Sequence, residues 1–120
     1  MKDADKLRAR FLRDPVPRRL GAIAADLARV ASGARREGGA DAVAGMLEES
    51  QCFIEWTAAE SEIAAELVEI QVALAVWRRA WPSAQQNGST RACLALQAQE
   101  WSDRVLARSG LLDEAPADRG

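Results

Sequence analysis

Between Glu60 and Trp81 the residues Glu60, Ile63, Leu67, Ile70, Leu74, Trp77 and Trp81 fall alternately three and four apart, the repeat that keeps one face of an α-helix toward a packing partner. The spacing predicts a long helix. The same stretch carries a second apolar row, Val68, Val72 and Val76 with Ala65, on its opposite side. One stripe suffices for a helix in a four-helix monomer, so the second row needs cover from another segment of the chain or from another subunit.

Similar periodicities run through the rest of the chain. Leu20, Ile23, Leu27, Val30 and Ala34 mark an amphipathic helix, with Asp14 placed to cap it, Pro15 and Pro17 at its start, and Gly38-Gly39 to end it. After Asp41, a second candidate cap, Val43, Met46, Leu47, Ser50, Phe53, Ile54 and Thr57 make one inward face. Thr57-Ala-Ala-Glu60 reads as a capping box and predicts a helix boundary at Thr57, a continuous kinked helix being the alternative. Pro82 should stop the long helix and Ser89 should cap the last one, whose inward row is Leu94, Ala98, Trp101, Val105 and, past Gly110, Leu112. Short connections between such helices imply antiparallel neighbours. The expected fold is all-α: an up-and-down four-helix bundle over 14–112, with a short N-terminal helical arm over 1–13 and a disordered tail over 113–120.

What the chain lacks narrows its chemistry. Histidine and tyrosine are absent, which excludes Ser-His and Cys-His nucleophilic arrangements, His-ligated zinc and the Glu-x-x-His motif of di-iron bundles. Lysine occurs only as Lys2 and Lys6, leaving no candidate for Schiff-base chemistry in the bundle. No cofactor is expected. Cys52 and Cys93 stand alone, without a paired-cysteine motif, and read as free thiols in a reducing cytoplasm. No signal peptide and no membrane-spanning run is apparent.

The net charge of -2 hides an asymmetry: residues 1–36 hold ten Lys or Arg against four Asp, and residues 37–120 hold six against fourteen acidic residues. The basic segment is expected to neutralise the acidic helices at their solvated rims. A sharper reading makes the arm, Leu7, Arg8, Arg10, Phe11 and Arg13, extended by Arg18 and Arg19, a docking element for an unidentified protein partner or, peripherally, an anionic membrane surface. An acidic pI near 5.2 argues against nucleic acid. Of the four tryptophans, Trp77, Trp81 and Trp101 fall on inward stripes and read as core. Trp56 lies off its helix's apolar face and reads equally as a filler against the next helix or as an interface anchor.

Carboxylates recur at a spacing that could hold a hard cation: Glu66-Leu-Val-Glu69, preceded by Glu62, and Glu100-Trp-Ser-Asp103. This pattern resembles the ExxE plus ExxD arrangement of all-α nucleoside triphosphate pyrophosphohydrolases of the MazG and dUTPase-like kind. The resemblance implies Mg²⁺ on Glu66, Glu69, Glu100 and Asp103, orienting a triphosphate and activating water. Against it, Glu66 and Glu69 flank the inward stripe, Asp103 points nearly opposite to Trp101, and exposed helical carboxylates are by default solvated charge. Separately, Phe11-Leu-Arg-Asp-Pro-Val-Pro-Arg-Arg-Leu-Gly21, Glu49-Ser-Gln-Cys-Phe-Ile-Glu-Trp-Thr57, Glu66-Leu-Val-Glu-Ile-Gln71 and Trp101-Ser-Asp-Arg-Val-Leu106 resemble a family of small helical cyanobacterial proteins of uncharacterised function. That resemblance implies a cytoplasmic helical domain and supplies no activity. The expectation is a non-enzymatic interaction or scaffold module, homodimeric through Val68, Val72, Val76 and Trp56, without a bound metal; the Mg²⁺-dependent hydrolase is the alternative.

Overall fold

The helical periodicities become five helices in the computed structural model, which describes residues 4–36, 38–60 and 62–111. These are α1 (Ala4–Leu12), α2 (Val16–Arg35), α3 (Ala40–Glu60), α4 (Ala64–Ala84) and α5 (Gly88–Ser109). No strand occurs among the described residues. The expected tail over 113–120, Leu112, and the first three residues of the arm with Lys2 lie outside them.

Cross-helix contacts fix an up-and-down order. Gly33 of α2 lies against Val43 of α3, while at the other end Arg19 reaches Glu60. The Trp81 indole donates to the Ala40 carbonyl at 2.9 Å, and Arg78 donates to Gln51 at 2.8 Å, setting α4 antiparallel to α3. The Ser102 hydroxyl donates to the Ala24 carbonyl at 2.7 Å, and Leu111 lies over Gly21, setting α5 antiparallel to α2. Thus α2 sits between α3 and α5, α4 is held chiefly by α3, and α4 meets α5 only sparsely. The bundle is open along its α4–α5 side.

The inward rows read from spacing form the core. Leu20, Ile23, Leu27, Val30 and Ala34 are buried, as are Val43, Leu47, Phe53 and Ile54, the α4 row from Leu67 to Trp81, and Leu94, Ala98 and Val105. Such burial is the main source of stability for helices of this length. Trp101 departs from the expectation: it is half-buried, because it sits where α4 and α5 diverge. None of the described helices is long and apolar enough to cross a membrane.

Helix ends differ from expectation where tertiary contacts outweigh local signals. No boundary or capping box forms at Thr57: α3 continues to Glu60, with Thr57 fully buried and its hydroxyl unpartnered, and the Glu60 carboxylate accepts from Arg19 instead. Continuing the helix buries the next inward position of the Val43–Ile54 row, which outweighs a surface cap. Pro82 does not stop α4, which ends at Ala84. Proline already holds a helical φ, and at this exposed position only one hydrogen bond is forfeited near the helix end. Asn87, not Ser89, caps α5, its side chain accepting from the Thr90 amide at 3.1 Å. The α2 N-cap is Pro15, with no side-chain hydrogen bond, and Asp14 serves through its carbonyl, which accepts from Arg19 Nε at 2.8 Å. Ala40 begins α3, so Asp41 lies in the first turn, where its charge favours the helix dipole. Gly110 ends α5 in the left-handed conformation its position called for, at φ 79°.

Candidate interaction surfaces

The inward row of α4 is covered by its own bundle, and the opposite row is not. Val68, Val72 and Val76 are 51%, 58% and 57% exposed. Ala65, Ala75 and Arg79 are exposed around them. Helical geometry places Val72 almost directly opposite Ile70, Leu74 and Trp81, with Val68 and Val76 one turn to either side. Valine loses side-chain freedom in a helix, and a solvated helix face more commonly carries long polar residues. This row is therefore costly where it stands unless something covers it. Leu96 on α5 is also 58% exposed, an outward apolar residue the sequence reading passed over because it falls between Leu94 and Ala98, off the inward row.

The arm does not cover the valine row. Phe11 of α1 is buried against α3, stacked on Phe53 with ring centroids 4.2 Å apart, and Trp56 completes the cluster at 6.1 Å from Phe11 and 5.9 Å from Phe53. Leu7 packs on the same core. Trp56 thus packs at the joint between α1 and α3. Arg8, Arg10 and Arg13 face solvent, so the arm offers cations but its large apolar side chains are engaged within the chain. Arg19 is no part of a basic docking patch. It is buried, donates to the Leu12 and Asp14 carbonyls at 2.8 Å each and reaches Glu60 at 3.3 Å, pinning the α1–α2 turn to the end of α3.

Where α4 and α5 diverge, a groove of about 230 Å³ opens onto Leu20, Leu67, Ile70, Trp101 and Val105. Glu66 and Glu69 edge it from α4, Arg104 and Arg108 from α5. Arg104 lies 4.9 Å over the Trp101 ring. Arg108 donates to both carboxylate oxygens of Glu66, through Nε and, at 3.0 Å, through Nη2. The guanidinium holds the Glu66 carboxyl below its usual range.

The four carboxylates read as a candidate Mg²⁺ site are not brought together. Glu66 is engaged by Arg108, Asp103 accepts from Gln99 at 3.1 Å, and Glu100 lies exposed outside the groove. Among the described residues no three Asp, Glu, Cys or His side chains converge. No known protein family, curated protein or solved structure matches this chain.

One acidic pair escaped the sequence reading. Asp26 of α2 is 2% exposed, accepts from Arg29 Nη1 at 2.7 Å, and has its second oxygen unpartnered beside Glu49 of α3. Burial first, then the Glu49 carboxyl, pushes its pKa up to about 7, with Arg29 opposing. Its position three residues after Ile23 and one before Leu27 was the available signal, an acid inside the apolar sector. Cys52 is half-buried, and burial together with Glu55 and Glu48 raises its pKa, which disfavours the nucleophilic thiolate; Cys93 is exposed.

Proposed function

We propose that this protein is a helical interaction module that works as a homodimer, with the outer face of α4 as its self-association surface. The carrying observation is the row Val68, Val72 and Val76, more than half exposed on a helix whose opposite row, Leu67 to Trp81, is buried. The seating of the arm supports the reading. The N-terminal arm, which could otherwise have covered the row from within the chain, is seated on α3 through Phe11. Trp56, offered as part of the same interface, belongs to that joint and is left out of it. Two free cysteines fit work in the reducing cytoplasm.

Size-exclusion chromatography with light scattering tests the reading. The wild-type chain at tens of micromolar should have twice the mass of one 13.0 kDa chain. Val72→Glu, which places a charge at the centre of the exposed face without touching the core, should give the monomer mass with unchanged helical circular dichroism. A wild-type monomer at that concentration rejects the proposal.

A further inference from the structure

The occupant of the α4 face can be given an orientation. The row runs Ala65, Val68, Val72, Val76, Arg79, with steps of three, four, four and three residues, so it is symmetric about Val72. An element that packs on itself across a two-fold axis needs such a self-complementary surface. Charge along the helix is polar in the opposite sense. Glu66 and Glu69 lie in its first half and Glu62 in the turn just before it, Arg78 and Arg79 near its end. Arg78 is held within the chain by Gln51 and Glu48. Arg79, Glu69 and Glu62 are exposed and form no ion pair within the chain among the described residues.

We infer that two α4 helices pack antiparallel across a two-fold axis at Val72, with Arg79 of each copy set against Glu69 of the other. This rests on the dimeric reading of the same face. On this register Val72 meets the partner's Val72, Val68 meets the partner's Val76, and the aliphatic stem of Arg79 covers the partner's Ala65. The guanidinium then falls within a helical turn of the Glu69 carboxylate, which has no ion pair within the chain among the described residues. A parallel pair would set Arg79 against the partner's Arg79 and Glu69 against the partner's Glu69, and would align the two helix dipoles unfavourably. Alanines at 65 and 75 leave room for close approach of the two backbones. The acidic start and basic end of α4 thus act as the orientation code of the interface, as flanking charges do in paired helices.

Site-directed crosslinking in the full chain tests this. In a Cys52→Ser, Cys93→Ser background shown to keep its helical signal, Val68→Cys and Val76→Cys proteins of different tag length are mixed, allowed to exchange and oxidised. The inference expects the mixed disulfide to dominate, with little self-linking by either protein alone. Self-linking of Val68→Cys and of Val76→Cys in a sample of dimer mass overturns the antiparallel arrangement and leaves the dimeric reading standing. A monomer mass for the background protein and for the wild-type chain overturns both. Charge reversal gives an independent readout. Glu69→Arg or Arg79→Glu alone should weaken dimerisation roughly tenfold, since two symmetry-related pairs are lost and replaced by repulsion. The double reversal in one chain should restore it. Single reversals without effect, in a protein that does dimerise, contradict the pairing.

Discussion

Replacing Asp26 by Asn should abolish a pH dependence of stability that this single carboxyl creates. The group is 2% exposed, and its second oxygen finds no donor. Its pKa rises from an ordinary 3.8 to about 7 through burial and the Glu49 carboxyl, against the pull of Arg29. For an acid with a raised folded pKa, the folded chain holds a proton that the unfolded chain has shed. Stability is therefore greatest below the unfolded pKa and falls as pH rises through the interval between the two values. A shift of roughly three units, at about 1.4 kcal/mol each, corresponds to at most about 4 kcal/mol lost by neutral pH. That is a large share of the roughly 5–15 kcal/mol typical of a domain. Asn keeps the shape, and its amide can donate to Glu49 at every pH. Urea unfolding followed by circular dichroism at about pH 5, 6, 7 and 8 reads the effect. The wild-type midpoint should fall across this range, and the Asp26→Asn midpoint should stay flatter and lie above it at the alkaline end. Parallel curves for the two proteins would refute the reasoning.

Two further substitutions probe how the arm is held. Phe11→Ala removes the ring stacked on Phe53, costs about 3 kcal/mol of local packing, and should expose the bond after Arg13 to trypsin while α2–α5 stay folded; unchanged digestion would place the hold on α1 elsewhere. Arg19→Met keeps the buried stem but leaves the Leu12 and Asp14 carbonyls without their donor and Glu60 without its cation, and should lower stability by about 2–3 kcal/mol in denaturant titrations, an effect an exposed arginine would not produce.

The rows that build the bundle were legible because each repeats at helical spacing over several turns, so that single exceptions do not hide it. Ile23, Leu27 and Val30, or Leu67, Ile70 and Leu74, announce their faces without any knowledge of the neighbours. Helix ends were less legible, since a cap is worth about 1 kcal/mol and yields to burial of one more side chain, as at Thr57, or to a competing cap two residues away, as at Asn87. The exposed valines were visible for the same reason as the core, by period alone. Contacts between distant segments were not. That Phe11 stacks on Phe53, that Arg19 turns inward, and that Arg108 takes up Glu66 depend on which helices lie side by side, and the order α5–α2–α3–α4, with its open α4–α5 side, follows from three-dimensional packing. The carboxylates of the cation reading share a helical spacing without sharing a site, because Glu100 and Asp103 look outward from α5.

Sedimentation equilibrium of the wild-type chain over a wide concentration range tests the central claim most directly. The account predicts a reversible monomer–dimer equilibrium, with the weight-average mass rising from 13.0 kDa toward twice that value and with Val72→Glu remaining at 13.0 kDa throughout. A wild-type mass that stays at 13.0 kDa at every concentration would contradict it.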